Sequence, residues 1–135
     1  MYGLSSYSYI YEVIIMKVLI LHKDGTFETT TLNCRGKDVE VVSWGVLNES
    51  ITSRYYSNNL MCIYDDAFGW NIFNEDNLAK HINKYVAKIF GKDTDTYNDV
   101  VITSIRNGKP CSIRNKDINY IKEVISHEKA IRKSE

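Results

Sequence analysis

The sequence predicts an α+β fold: a mostly antiparallel β-sheet packed against two α-helices. Short β-branched or apolar runs recur along it, and the dipeptides Asp24-Gly25 and Asn107-Gly108 follow two of them. Such dipeptides are the strongest short-range signals for a two-residue hairpin turn. Between Asp76 and Gly91 the apolar residues Leu78, Ile82, Tyr85, Val86, Ile89 and Phe90 recur at three- and four-residue steps, which is the spacing of one helical face. The resulting order, ββββ-α-ββ-α, indicates an α+β domain.

Taken in order, residues 1–15 (M-Y-G-L-S-S-Y-S-Y-I-Y-E-V-I-I) lack the basic start and small-residue cleavage site of a signal peptide. Tyr7, Tyr9 and Tyr11 alternate with Ser8 and Ile10, so two readings stand: an extra edge strand, or an upstream-start extension ahead of Met16-Lys17. Lys17–His22 is continuously apolar and reads as an interior strand, with Thr26–Leu32 returning from the Asp24-Gly25 turn. Val39–Trp44 and Leu60–Tyr64 read as a third and a fourth strand, with a polar loop over Asn48–Asn59 carrying Arg54, Tyr55 and Tyr56. In the central helix Asn74 or Asp76 can accept the first free amides, and Gly91 can take the left-handed conformation that ends it. Asp99–Ile105 is β-branched and suits a covered strand. Lys109–Ile113 returns from Asn107-Gly108, and Pro110 forces it to an edge or a bulge. Asn115 caps a second helix whose buried face is Ile118, Ile121, Val124 and Ile125. The charged stretch after His127 predicts a frayed tail over 128–135.

A length of 135 residues with no repeat or linker predicts a single domain, 1–135. Hydrophobic residues at 44% and charged residues at 25% argue against a disordered chain. Lys plus Arg equals Asp plus Glu at 17 each, so no net field draws in DNA or RNA, and phosphate binding must come from a local basic cluster. No apolar run approaches the ~20 residues of a membrane span. Cys34, Cys62 and Cys111 are odd in number and far apart, and His22, His81 and His127 stand at no metal-ligand spacing from them. Neither disulfides, a metal nor a cofactor is expected, and a reducing cytosol fits.

No G-x-S-x-G, H-E-x-x-H, Gly-rich phosphate loop or diagnostic Cys/His pair is present, so the expectation is a protein without catalysis. Asp65-Asp66 reads as a solvated turn, and Asp93 and Asp95 as solvated because the calcium-loop Gly and Glu are missing. Phe73, Asn83 and Arg106 offer more. An aromatic ring stacks on a base for about 1–3 kcal/mol. An amide pairs with a base edge, and a guanidinium clamps a phosphate. Each also has a plainer role: Phe73 as core, Asn83 as a surface helix residue, Arg106 as a strand-end charge. Arg54, Arg114 and Lys109 read most simply as exposed.

Four stretches carry a resemblance: M-K-V-L-I-L-H-K-D-G from Met16, N-K-Y-V-A-K-I-F-G from Asn83, D-V-V-I from Asp99 and N-K-D-I from Asn115. Over about Met16 to Ser126 the chain resembles the first-described family of phage anti-Thoeris sponges. The resemblance implies an immune-evasion protein, homo-oligomeric, in the cytoplasm of the infected bacterial host. It would sequester, without cleaving, the cyclic ADP-ribose isomer (glycocyclic ADP-ribose) that TIR enzymes make. It also implies that Phe73, Asn83 ten residues later and Arg106 on the later strand contact the ligand. Arg54 and Arg114, read from the sequence as basic residues, are further ligand-binding candidates. The G-K-D-T-D-T loop at Gly91–Thr96 lengthens the Asn83–Arg106 spacing relative to the family. Some members hold cyclic di- or trinucleotides at a second site. Arg54 is a candidate for it, but Glu75 stands where a lysine is expected, which argues against that binding here. Two alternatives stand beside the sponge: a phage inhibitor that binds a host defence enzyme through Tyr7, Tyr9, Tyr11, Tyr55 and Tyr56, and a small cyclic-nucleotide-cleaving enzyme.

Overall fold

The computed structural model describes residues 15–47, 53–57, 59–65, 79–91 and 95–134. In chain order the elements are β1 (Ile15–Leu21), β2 (Phe27–Asn33), α1 (Val39–Leu47), β3 (Ser53–Ser57), β4 (Leu60–Tyr64), α2 (Lys84–Phe90), β5 (Val100–Arg106), β6 (Lys109–Cys111) and α3 (Asn115–Ser134). The six strands form one antiparallel sheet in the order β2-β1-β5-β4-β3, with β6 also on β5. The class is α+β, as the sequence predicts.

Period-two alternation sends successive side chains of a strand to opposite faces, and here both faces are covered. Leu19, Leu21, Cys62, Val100 and Ile102 pack under α2 and α3, against Tyr85, Val86, Ile89, Phe90, Ile121 and Ile125. Val18, Ile20, Met61, Ile63 and Val101 face the other way and pack with Leu32, Cys34 and Val39, with Val42, Val46 and Leu47 of α1 against them. A strand covered on both sides reads as a continuous apolar run, which is why V-L-I-L in β1 shows no alternation.

Several sequence expectations need correcting. Val39–Trp44 is not a strand but the start of α1. Val39 and Ser43 are buried and Val42, Val46 and Leu47 half-buried, a helical spacing, while Asp38 Oδ1 accepts the Glu40 amide at 2.9 Å as the cap. Packing and a cap here override the β-propensity of the valines. The polar loop over Asn48–Asn59 contains β3, paired with β4 from Ser53↔Tyr64 to Ser57↔Leu60. Of the helix predicted over Asp76–Gly91, residues 76–78 lie outside the described residues, Ala79 is helical, and α2 starts afresh at Lys84 after a break: Ile82 bridges to Tyr97, and the Asn83 amide donates to Thr96 O at 2.7 Å. The apolar spacing runs on where the backbone is already bonded elsewhere. Asn83 takes the cap position of α2, and Gly91 ends it in the left-handed region at φ 68° as expected, while Asn74 and Asp76 lie outside the described residues. Nor does the tail fray at His127, since α3 runs on to Ser134. Residues 127–133 contain no Gly or Pro and end on Arg132 and Lys133, which favour a helix C-terminus.

The hairpins differ from each other. Asn107 and Gly108 both have positive φ (52° and 75°) between paired Arg106 and Lys109, the two-residue type I′ turn. The first closes instead around Lys23-Asp24-Gly25, with the His22 amide on Thr26 O at 2.9 Å. The edge role expected from Pro110 holds, because among the described residues β6 pairs with β5 alone. Residues 1–14, with the extra-strand reading, lie outside the described residues.

Candidate functional site

The β5–β6 hairpin builds one wall of a large cleft. Its last ladder pair is Arg106↔Lys109: two cations directly opposite each other, an arrangement that destabilises a sheet through like-charge repulsion. Neither residue has an ion-pair partner among the described residues. β6 takes the place beside β5 that the first half of β1 vacates; Lys17 O accepts the Ile113 amide at 2.9 Å and the Lys17 amide donates to Ser112 Oγ at 3.0 Å. The start of β1, the hairpin, β3 and the approach to α1 thereby enclose a cleft of about 940 Å³.

Among the described residues, five basic side chains line that cleft, Lys37, Arg54, Arg106, Lys109 and Arg114, against one acid, Asp38. Tyr56, 40% exposed, adds an aromatic ring. On β3 Arg54 and Tyr56 pair with Ile63 and Met61, so both lie on the face that α1 covers. A chain of zero net charge therefore concentrates positive charge in one concavity, the local cluster that phosphate binding would need.

Two of the arginines are held in place. Arg114 stands at the entrance to α3, where its carbonyl accepts the Asp117 and Ile118 amides, each at 3.0 Å. Its guanidinium reaches Asp117 Oδ2 through Nε at 3.3 Å and donates to Ile105 O through Nη2 at 2.7 Å. A guanidinium carries five N–H donors, so three remain for a ligand. Asp117 is in turn fixed by the Ser104 hydroxyl, which donates to the same Oδ2 and accepts the Arg114 amide at 2.9 Å. Arg54 is held by Asp38 (Nη1–Oδ1, 3.3 Å) and Glu40 (Nε–Oε2, 3.2 Å). Cys34 also lines the cleft. Burial pushes its thiol up from the ordinary value and the Asp38 carboxylate adds to that, the reverse of what a thiolate nucleophile needs. Among the described residues no group of His, Cys, Asp and Glu could hold a metal ion.

Arg54, Arg106 and Arg114 thus meet in one cleft. Asn83 does not join them. It is 2% exposed, and its amide nitrogen donates to Leu21 O at 3.2 Å and Asn98 O at 2.9 Å. Leu21 pairs with Val100 at the start of β5, whereas Arg106 is the last residue of that strand, about 20 Å away at 3.3 Å per residue. The reading of Asn83 as a surface helix residue is therefore replaced by a buried tie between β1 and the lead into β5. Phe73 lies outside the described residues. Sequence reasoning overlooked Lys37, named Tyr56 only for a protein-binding surface, and took Lys109 as merely exposed. The Asn107-Gly108 turn places Lys109 opposite Arg106 by simple register and could have found it. Nothing comparable pointed to Lys37, or to Tyr56 as a cleft residue, while α1 was read as a strand and β3 as a loop.

No family model and no curated protein matches the sequence. The chain is similar to a solved structure described as small RNA methyltransferase HEN1, with a TM-score of 0.52 at 11% identity. The match covers 87% of this chain but 17% of that one, and at such identity the likeness is one of fold.

Proposed function

We propose that this protein binds a small nucleotide-like anion in the β5–β6 cleft and holds it intact, with a cyclic ADP-ribose isomer as the ligand. The observation that carries the proposal is the cross-strand cation pair Arg106↔Lys109, without an ion-pair partner among the described residues, beside Arg114, Arg54 and Lys37 on one cleft. A bridging diphosphate would turn the repulsion of that pair into attraction and add charge-assisted hydrogen bonds. A volume of about 940 Å³ lies near the top of the range for small-molecule sites, and Tyr56 offers a face for a base. Retention asks only for slow release, so no proton-transfer group is needed. The resemblance to anti-Thoeris sponges supplies the identity of the ligand and the setting: the cytoplasm of an infected bacterium, where sequestration would silence TIR signalling. No helix among the described residues is long and apolar enough to cross a membrane, which accords with that setting.

The test is to mix the purified protein with TIR-generated signal, follow free ligand by mass spectrometry, then heat-denature and measure again. Ligand that disappears and returns intact supports sequestration. Return in altered form means cleavage, and ligand that never leaves solution rejects the proposal. A second reading, inhibition by contact with a host protein, is favoured by Val41 and Trp44. They sit three residues apart on α1, 39% and 38% exposed, as neighbours on one helical face. Stoichiometric recovery of a host protein on the immobilised chain, lost on Trp44→Ala, would support it.

A further inference from the structure

We propose that Asp38 is a built-in counter-anion that limits how tightly the cleft holds its ligand; this rests on the anion-binding reading of the cleft. Asp38 is the single carboxylate among the described residues that line the cleft. It serves two groups at once. Its Oδ1 accepts the Glu40 amide at 2.9 Å, capping α1, and Arg54 Nη1 lies 3.3 Å from Oδ1 and 3.4 Å from Oδ2. An anion entering beside Arg54 therefore meets a negative charge already seated on the guanidinium. It must displace that charge and then remain close to it. Glu40 differs: it holds Arg54 through Nε at 3.2 Å and does not line the cleft. The two carboxylates thus have separable effects. Glu40 orients the arginine, while Asp38 occupies the edge of it that a ligand would use.

The substitution Asp38→Asn separates charge from capping, because Asn caps helix N-termini about as well as Asp. It leaves Glu40 to orient Arg54 and releases Nη1 to the ligand. Inorganic pyrophosphate is the probe, titrated calorimetrically at low salt against the wild-type chain, Asp38→Asn and Glu40→Gln, with thermal unfolding followed alongside. The expectation is that Asp38→Asn binds pyrophosphate about three- to tenfold more tightly, the scale of removing one nearby, partly screened charge. Its affinity should also fall more steeply with added salt, at an unchanged unfolding midpoint. Glu40→Gln should give no such gain. If wild type binds and Asp38→Asn binds equally or more weakly, the counter-anion role is overturned and the cleft stands. The role is equally overturned if Glu40→Gln tightens binding as much, since the effect would then be one of net charge. If none of the three binds pyrophosphate, the cleft reading and this inference fall together.

Discussion

Arg114 and Asp117 form an ion pair, Nε to Oδ2 at 3.3 Å, across the first turn of α3, and it joins the cleft to the sheet. Asp117 is 7% exposed, and Ser104 of β5 donates its hydroxyl to the same carboxylate oxygen. Asp117→Ala would strand the buried Ser104 hydroxyl and loosen the guanidinium together. A loss of about 2–3 kcal/mol is expected, the cost of leaving buried hydrogen-bonding groups unsatisfied, together with weaker anion binding in the cleft. Ser104→Ala removes two bonds, the one its hydroxyl donates to the Asp117 carboxylate and the one it accepts from the Arg114 amide, but leaves the Arg114 guanidinium on Asp117 and Ile105 O. It should cost about 1–3 kcal/mol and leave anion affinity close to wild type. Urea unfolding and calorimetric titration of the two variants check both halves.

Gly25 shows a second close relationship. A Cβ at this residue would lie 2.9 Å from the Tyr85 ring and from Lys129 Cε, and its φ is +89°. The turn between β1 and β2 is thereby pressed onto α2 and α3, with no room for a methyl group. Gly25→Ala combines left-handed strain with overpacking and should destabilise by about 2–4 kcal/mol. Gly45, inside α1, has nothing within 4 Å of the place its methyl group would take, so Gly45→Ala should stabilise by about 0.5–1 kcal/mol through helix propensity. Opposite signs in denaturant midpoints are the expected result.

The same turn carries the clearest pH effect. Hydrogen bonds from the Thr26 hydroxyl (2.6 Å) and amide (2.9 Å) hold the Asp24 carboxyl below its ordinary value, with His22 and Lys129 adding to that. A carboxyl whose folded value is depressed binds fewer protons folded than unfolded. Its contribution is therefore complete above the unfolded value near 4 and is lost as pH falls through the lower folded value. The stability difference between wild type and Asp24→Asn should hold steady near neutrality and shrink in acid. An unchanging difference down to pH 2 would show that Asp24 titrates alike in both states.

How far the sequence reveals this molecule depends on the range of the interactions involved. Val18–Leu21, Asn107-Gly108, Gly91 and the Ile121/Ile125 stripe were legible because local pattern and tertiary role agree there. Val39–Trp44 misled because β-branched residues were placed on a helix by Asp38 and by the sheet beneath, neither visible in a propensity. Arg54 gained its place only through β3, whose Tyr55-Tyr56 pair was the overlooked strand signal. Three of the arginines named from the sequence, Arg54, Arg106 and Arg114, line one cleft. Their convergence depends on pairings between β3 and β4 and between β5 and β6, which no single stretch of sequence encodes.

Asn83 and Arg106 provide the sharpest contrast, because the resemblance pairs them and the fold sets them at opposite ends of β5. Asn83→Ala would leave Leu21 O and Asn98 O without the donors they now have at 3.2 and 2.9 Å, at a cost of about 2–3 kcal/mol. Asn83→Asp should cost more, since it turns a donor into a charge facing two carbonyls. Arg106 is exposed at a strand end and opposite Lys109. Arg106→Ala relieves a like-charge pair and should change stability by less than about 0.5 kcal/mol, yet weaken anion binding about tenfold or more. Unfolding curves and titrations on the two alanine variants therefore separate a structural amide from a ligand-binding guanidinium. If Asn83→Ala keeps full stability and abolishes binding while Arg106→Ala binds normally, the ligand sits at the other end of the sheet and the cleft is not its site.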